Sequence, residues 1–367
     1  MSQYVLVMLW IAVIYIISKT VNVYTEEYVC GKKEVRVTRG FAIFCVIPLI
    51  WWAATRSQWF FDTGMYVRGF ENIPESLAEI RSYMEGISKD KGFYMLAFLI
   101  KALIGNRDVW YLGILATFQL ISIALVFRKF SSNYVMAIFL FVATTDYLSW
   151  AHNGIRQFMA VTLIFAATEL MLKKKYVPLI AIILLASTLH GSALLMLPVV
   201  FIVQGRPWNQ KTVLAIFVFL LAIIYVDRFT NLLNDVLVDT QYTNVVSDWQ
   251  EWEDDGTNPI RVLIYAIPTL LSIIGYPYIK ESNDPVVNMA CNIGIISTML
   301  YCLSAVTSGI FIGRLPIYCS LYATGILLPW ELDNIFTKKS AQTMKLLMIM
   351  GFVAFYYYQT HFVWGLI

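Results

Sequence analysis

Long apolar runs separated by short polar segments make up most of the chain. A helix needs roughly 20 apolar residues to cross ~30 Å of hydrocarbon, and most of the runs approach that length. The candidate spans lie near residues 2–19, 41–55, 109–127, 133–150, 155–172, 177–189, 191–204, 212–227, 261–279, 286–308, 314–331 and 345–363. This pattern predicts an all-α polytopic membrane protein with about 12 transmembrane helices.

The polar segment 56–108 carries helical patterning of its own. Ser76 and Glu79 have the spacing of a capping box, in which the serine side chain caps the first turn of a helix. Apolar residues then recur at helical spacing over 77–87, and 93–104 is apolar almost throughout. That second run is shorter than a spanning helix. We therefore expect amphipathic, interfacial helices that lie on the outer membrane face.

Lysine and arginine predict which loops face the cytoplasm, because short cytoplasmic loops are enriched in both residues. If the N-terminus lies outside, the majority of the 27 basic residues fall on the cytoplasmic side. Those residues are Lys19, Lys32, Lys33, Arg36, Arg39, Arg128, Lys129, Lys173, Lys174, Lys175, Arg206, Lys211, Lys280, Lys338, Lys339 and Lys345. A spanning helix at 93–104 would move the cluster at 173–175 to the outside, so the charge pattern argues against one.

The segment 177–204 allows two topologies. Its two apolar runs form either a hairpin with its tip at His190 or one long helix that is kinked near that residue. The hairpin is the preferred interpretation, because a single helix would place Arg206 and Lys211 outside.

Composition excludes several classes of protein. Hydrophobic residues make up 59% of the 367 residues and charged residues 14%, against about 25% charged residues in soluble proteins. No stretch is left for a soluble domain, so residues 1–367 are predicted to form a single integral membrane domain. The acidic outer loop at 228–260 is either plainly solvated or, through Trp249 and Trp252, a sugar-binding edge. The chain offers no basic surface for nucleic acid.

Metal and phosphate-loop chemistry find no support in the sequence. The three histidines are dispersed, no Asp-x-Asp pair occurs, and no glycine-rich phosphate loop is present. The five cysteines lack metal-ligand spacing. We expect neither a metal site nor a cofactor.

Under the predicted topology, several polar residues fall at the same outer level of the membrane. They are Arg56, Gln58, Asp62, His152, Asn153, Arg156, Gln157, His190, Ser192 and Arg314. Charged and polar residues in membrane helices are costly and usually face a cavity or a water boundary. We therefore expect these side chains to share a cavity at this level.

Three of these residues are arginines, which suit an anionic ligand. A guanidinium binds phosphate oxygens bidentately and stays charged, so a diphosphate at the membrane face fits Arg56, Arg156 and Arg314. Histidine is suited to general-base work on a hydroxyl. His190 is the candidate base, and Asp62 orients it or an arginine. Plainer interpretations stay open, because helix-end arginines are often interfacial anchors, His190 fits a turn, and Asp62 fits a surface pair with Arg56.

The order and spacing of these residues resemble a known family. The segments that carry the resemblance are Asp62-Thr63 with Tyr66 and Phe70, Arg156-Gln157, His190-Gly191-Ser192-Ala193, and Gly313-Arg314-Leu315 with Tyr318. A basic cluster separates the second segment from the third, and a proline-bearing apolar run follows the third. Over about residues 50–330, the chain resembles the EpsG family of bacterial exopolysaccharide polymerases, which are of the Wzy kind.

The resemblance implies a glycosyltransferase-C-like, metal-independent fold in the bacterial cytoplasmic (inner) membrane. At its outer face, an oligosaccharide repeat carried on polyprenyl diphosphate would be joined to the next lipid-linked repeat, for exopolysaccharide, capsule or O-antigen synthesis. A flippase and a chain-length regulator are implied as partners. The residues predicted to be catalytic are His190, Arg156 and Arg314. The residues predicted to bind substrate are Gln157, Arg56, Asp62, Asn153 and Ser192.

Three other functions stay open. An O-antigen-type ligase would use the same chemistry with a different acceptor. A transporter or flippase for lipid-linked sugars would need polar residues along a path through the membrane, and Glu169 is the nearest such charge. A membrane acyltransferase that modifies glycans would also use a histidine.

Overall fold

The computed structural model describes residues 2–237 and 256–367. Helices account for 77% of the residues that the structure describes, so the prediction of an all-α membrane protein is confirmed at that level. The chain divides into two compact units, residues 1–194 with 345–367 and residues 195–344. The glycosyltransferase-C-like architecture stays a prediction.

The first unit is helical apart from one β-hairpin. Its helices are α1 (Gln3–Thr20), α2 (Arg39–Thr55), α3 (Thr63–Glu71), α4 (Leu77–Glu85), α5 (Lys91–Ile104), α6 (Asp108–Phe130), α7 (Tyr134–Ala143), α8 (Asp146–His152), α9 (Ile155–Ala166), α10 (Thr168–Leu172) and α11 (Tyr176–Leu189). The antiparallel strands β1 (Tyr24–Val29) and β2 (Lys32–Val37) follow α1.

The second unit is helical throughout its described part. Its helices are α12 (Met196–Ile202), α13 (Gln210–Ile224), α14 (Val226–Leu237), α15 (Pro259–Ile274), α16 (Tyr276–Ser282), α17 (Pro285–Ala305), α18 (Ile317–Tyr322) and α19 (Leu328–Asn334). Helix α20 (Lys338–Tyr357) begins in this unit and ends in the first. The predicted acidic loop is helical up to Leu237, and residues 238–255, including Trp249 and Trp252, lie outside the described residues.

Candidate membrane spans among the described residues number four, or up to seven when each bent helix pair counts as one. The uninterrupted spans are α1, α6, α17, and α20 with its π-helical end. The bent pairs are α7–α8, α13–α14 and α15–α16, at 70°, 99° and 74°. At the first bend, Thr145 adopts φ 63°, a left-handed conformation that ends an α-helix. The predicted total of about 12 spans stays a prediction.

The helical elements predicted within 56–108 are present. The Ser76 side chain accepts a hydrogen bond from the Glu79 backbone N–H at 3.3 Å, which confirms the cap, and α4 begins at Leu77. Ile80 is buried while Leu77 is exposed, so the apolar face of α4 is covered only in part. The run at 93–104 forms α5, which packs against α6 and α11. Their position on the outer membrane face stays a prediction.

A buried lysine fixes α3 to α5 near the centre of the first unit. Lys101 Nζ donates to the carbonyls of Phe70, Glu71 and Ile73 at 3.3, 2.8 and 2.7 Å. These carbonyls lie at and just beyond the C-terminus of α3, where a cation is favourable. Phe70 also stacks on Tyr111 of α6 with the ring centroids 4.1 Å apart. Helix α3, which follows the second predicted span, is therefore held in a defined place.

The β-hairpin at 24–37 closes one end of the first unit. Its two turn residues have φ values of 49° and 83°, as a two-residue type I′ turn requires. Arg128, near the end of α6, donates through Nε to the Val37 carbonyl at 2.7 Å. Arg36 donates to the Ser131 carbonyl at 2.7 Å. The predicted basic loop after α1 is therefore a structured element that is tied to α6.

Candidate functional site

Arg156, near the start of α9, forms an ion pair with Asp90, the residue before α5. Arg156 Nη1 donates to Asp90 Oδ2 at 2.9 Å. The two side chains are 21% and 7% exposed respectively, so the pair is largely shielded from water. Removing one side chain of such a pair leaves the other charge unpaired in a poorly solvated place, which is destabilising.

The turn after α11 meets the same carboxylate. Helix α11 ends at Leu189, and His190 adopts extended backbone with φ −160°. The backbone N–H of Gly191 lies near the Asp90 carboxylate and lowers its pKa. Asp90 therefore lies beside both Arg156 and the residue that follows His190, so the structure brings these two predicted catalytic residues into one neighbourhood.

The His190 side chain contacts the hydroxyl of Ser192. His190 Nδ1 lies 2.7 Å from Ser192 Oγ, and the partner of one ring nitrogen sets the tautomer of the imidazole. The Ser192 backbone N–H also donates to Nδ1, at 3.4 Å, so Nδ1 is the accepting nitrogen in this turn. Ser192, predicted to bind substrate, is thus placed to orient the candidate base.

The backbone around Asp90 is tightly fitted to the end of α11. Asp90 adopts φ 54°, a left-handed conformation that is uncommon for residues other than glycine. A Cβ atom on Gly92 would lie 2.1 Å from Thr188 Oγ1 and 2.9 Å from the Thr188 carbonyl oxygen. Only glycine permits this approach, so the position of Asp90 relative to α11 is fixed by backbone contact.

Two cations surround the Asp90 carboxylate. Burial raises the pKa of Asp90, and the charges of Arg156 and Lys89 offset part of that shift. Burial also lowers the pKa of Lys89, and the nearby Arg156 charge adds to the effect. The hydroxyl of Tyr66 hydrogen-bonds to the Arg156 guanidinium. The charges of Arg156 and Lys89 therefore both lie near this carboxylate.

A small aromatic cavity adjoins Arg156. Its volume is ≈ 60 Å³, and Tyr66, Phe93, Tyr94 and Tyr111 are among the side chains that line it. Such a volume holds about two water molecules, which is far less than a sugar needs.

The Arg56 guanidinium donates hydrogen bonds to three acceptors within the protein. Its Nε donates to Thr63 Oγ1 at 2.8 Å, its Nη2 donates to the His152 carbonyl at 3.1 Å, and its Nη1 donates to the Ala53 carbonyl. The side chain is buried. The His152 ring packs on Trp52 with centroids 4.7 Å apart. This arrangement ties the end of α2 to α3 and α8, so it supports a positioning role for Arg56.

Three other predicted binding residues differ in exposure. Asp62 is exposed at the N-terminus of α3, without a capping hydrogen bond from its side chain. Asn153 donates to Ser149 Oγ at 3.2 Å, and its Oδ1 is buried with no partner within the described chain. Gln157 is buried on α9. The unmatched Asn153 carbonyl is the group of the three that most needs a ligand or water partner.

Arg314 lies in the second unit, in a 3-10 turn at Ile312–Arg314 that precedes α18. The preceding Gly313 has no room for a side chain, because a Cβ atom would lie 2.6 Å from Thr257 Oγ1. The prediction that Arg314 joins the Arg156 cluster stays a prediction.

Among the residues that the structure describes, no group of three or more His, Cys, Asp or Glu side chains could hold a metal ion. The expectation that the site works without a metal or a cofactor stays a prediction.

Sequence reasoning missed Asp90 and Lys89. They are 66 and 67 residues before Arg156 along the chain, in a polar stretch that resembles an ordinary connection. The one signal available is the charged triplet Lys89-Asp90-Lys91 shortly before the apolar run at 93–104. Only the packing of α5 on α11 shows that this connection reaches the His190 turn.

Long apolar helices and a shielded charged cluster define a multi-pass α-helical membrane protein. A model of the EpsG family matches residues 41–364, which is nearly the whole chain. The chain therefore belongs to the EpsG family, and the predicted resemblance is confirmed. A search of curated proteins and a search of solved structures gave no match.

Proposed function

We propose that the chain is a membrane glycosyltransferase that polymerises oligosaccharide repeat units carried on polyprenyl diphosphate. Membership in the EpsG family supports a polymerase of the Wzy kind. The observation that carries the proposal is the Asp90 carboxylate, which holds both Arg156 and the turn that bears His190. A cation beside a candidate base is what transfer from a diphosphate to a hydroxyl requires.

In the proposed reaction, an acceptor hydroxyl oxygen forms a bond to the anomeric carbon of the donor glycan. The bond between that carbon and the diphosphate oxygen breaks, and the His190 imidazole takes the hydroxyl proton. The polyprenyl diphosphate leaves with an additional negative charge. Arg156, with Lys89 nearby, stabilises that charge, an effect that grows in a site poor in water. The scheme uses no cofactor.

The other predicted site residues take supporting roles in this proposal. Asn153 and Gln157 offer amide groups to sugar hydroxyls. Arg56 and Asp62 position the start of α3, whose Tyr66 hydroxyl contacts Arg156. Arg314 is proposed as a second ligand of the diphosphate.

The proposed setting is the outer face of a bacterial cytoplasmic membrane, in exopolysaccharide, capsule or O-antigen synthesis. The basic residues of the predicted cytoplasmic loops support this orientation. A flippase that delivers lipid-linked repeats and a chain-length regulator are the proposed partners.

The experiment that tests the proposal is a gel profile of lipid-linked glycans in the native host. It compares the intact gene, a deletion, and His190→Ala expressed at a matched level. We expect single repeats to accumulate in both altered strains. His361→Ala is the control, because that exposed histidine stacks on Tyr357 near the C-terminus and should leave long chains intact.

Other outcomes point to other functions. Long chains in the deletion strain would contradict a polymerase and favour a ligase or a transporter. Long chains in the His190→Ala strain alone would assign the base elsewhere. The transporter alternative gains no support from Glu169, because that side chain pairs with Lys129 and Lys173.

A further inference from the structure

Another cavity lies in the first unit, next to the β-hairpin. Its volume is ≈ 490 Å³, within the ~300–1,000 Å³ range of ligand sites. Met8 and Ile11 of α1, Met136 and Phe139 of α7, and Val353 of α20 give it apolar walls. The cavity shares no lining residue with the Arg156 cluster.

Helices α1 and α20 contact each other directly near Tyr4, and the cavity lies between them on the side nearer the hairpin. The Tyr356 hydroxyl donates to the Tyr4 carbonyl at 2.8 Å, and the Tyr4 ring packs on Trp52 with centroids 4.9 Å apart. Further along both helices, Ile349 and α1 residues from Met8 onwards line the cavity instead. The space is therefore closed at the Tyr4 end and extends towards the hairpin.

Polar groups border the cavity at its hairpin end. Lys19, Arg36 and residues 131–133 line this border. Arg36 forms an ion pair with Glu34. Lys19 is exposed and lies over the Tyr15 ring at 5.6 Å, and within the described residues no carboxylate is at ion-pairing distance from it. The border therefore offers a cation that the protein itself leaves without a counter-ion.

We propose that this cavity binds one anionic phospholipid. Its acyl chain would lie between α1, α7 and α20, where apolar walls replace water or bulk lipid. Its phosphate would bind Lys19 and Arg36, because charge-assisted hydrogen bonds to phosphate are strong. Basic pockets between transmembrane helices on the cytoplasmic side bind anionic head groups, and the predicted topology places Lys19 on that side. The site does not rest on the proposed polymerase reaction.

Native mass spectrometry of the purified full chain tests this site. The detergent-solubilised protein is titrated with phosphatidylglycerol, with phosphatidylcholine of the same acyl chains, and with glycerol 3-phosphate. We expect one phosphatidylglycerol molecule to be retained in preference to phosphatidylcholine. Glycerol 3-phosphate, which has the phosphate but no acyl chain, should not be retained.

Two pairs of variants separate the tail site from the head-group site. Ala12→Trp fills the cavity and should abolish the selective retention of phosphatidylglycerol. Val13→Trp is its control, because Val13 is exposed and does not line the cavity, and it should leave this retention unchanged. Lys19→Gln should weaken phosphatidylglycerol binding about fivefold, which corresponds to one basic contact near a membrane surface. Lys339→Gln, an exposed lysine in another predicted cytoplasmic loop, should have no effect.

Three results would overturn the proposal. Equal retention of both lipids would mean that bulk lipid fills the space without recognition. Equal retention by Ala12→Trp and Val13→Trp would place the bound lipid elsewhere. Retention of glycerol 3-phosphate as strong as that of phosphatidylglycerol would leave the acyl chain with no role. All variants are compared only if they elute as monodisperse protein, so misfolding is detected separately.

Discussion

The first unit has charged clusters at the Arg156 site and at the β-hairpin, and the two clusters differ in how they meet water. At the Arg156 site, one largely buried carboxylate holds α9, the start of α5 and the turn after α11. At the hairpin, several ion pairs lie near the surface, and the Lys33–Glu26 pair has side chains that are 56% and 63% exposed. The hairpin cluster thus combines this exposed pair with two pairs whose arginines are buried, Arg36 with Glu34 and Arg128 with Glu27.

This difference bears on which charges the proposed reaction uses. Exposed ion pairs contribute about 0–1 kcal/mol each, so the Lys33–Glu26 pair adds little to stability. Shielded charges near a membrane are costly and are candidates for functional sites. The Asp90 carboxylate has both Arg156 and Lys89 near it, whereas the arginines of the hairpin cluster pair with glutamates. Variants at the two clusters should therefore differ in kind as well as in size.

The largest effect is expected from Arg156→Lys. Lysine keeps the charge but lacks the planar fork that meets Asp90 and a phosphate together, so polymer formation should fall by about 10²–10³-fold. The measurement is the yield of long glycan per molecule of protein in membranes. Arg128→Lys is the matched change at the hairpin and should leave that yield unchanged. Equal losses in the two variants would remove the functional distinction between the clusters.

A smaller effect, about tenfold, is expected from Asp90→Asn. The amide still accepts the Gly191 N–H, but it no longer neutralises or orients Arg156. Burial raises the pKa of Asp90 above its ordinary value, so the wild-type carboxyl becomes neutral, like the amide, as pH falls through that raised pKa. The wild-type and variant rates should therefore converge at acid pH and diverge at neutral pH.

Asp108→Asn is the control for this pH profile, because the Asp108 carboxylate accepts a hydrogen bond from the exposed Gln58 amide at 3.3 Å. It should follow the wild-type profile. A rate difference for Asp90→Asn that stays constant across pH would show that Asp90 acts through structure and not through its charge.

The smallest effect is expected from Glu27→Gln at the hairpin. The hydrogen bond from Arg128 lowers the pKa of Glu27, so the stabilisation is present above the unfolded-state pKa of ~4.3 and is lost as pH falls through the folded-state pKa. The variant should lose about 1 kcal/mol of stability at pH 7 and nothing once Glu27 is protonated. Thermal denaturation in detergent at several pH values measures this.

Glu26→Gln provides the comparison for that measurement. Glu26 pairs with Lys33 in an exposed position, so its loss should be close to undetectable at any pH. A destabilisation by Glu26→Gln as large as that by Glu27→Gln would show that hairpin stability depends on net charge and not on the contact with α6.

The sequence predicts local structure well, because a cap or a turn depends on nearby residues, and it singles out candidate site residues whose roles stay predictions. The cap at Ser76 follows from a three-residue spacing, and it is confirmed. Arg156 and His190 are conspicuous because polar groups are rare in apolar runs. Charge counting then places both at one level, and the structure connects both to Asp90.

What the sequence does not predict depends on packing between distant segments. Asp90 has an ordinary polar context, and its role arises only because Gly92 lets α5 approach Thr188. The three hydrogen bonds that Arg56 donates to acceptors within the protein likewise depend on tertiary packing. The bend between α7 and α8 at Thr145 divides the predicted span at 133–150, where Thr144-Thr145-Asp146 interrupts an otherwise largely apolar run.

The hairpin contacts also set an order of events during synthesis. The hydrogen bond from Arg36 to Ser131 joins residues that are 95 positions apart in the chain. At about 5–20 residues per second, a ribosome needs roughly 5–20 s to supply the second partner after the first. During that interval the nascent hairpin lacks its hydrogen bonds to the end of α6.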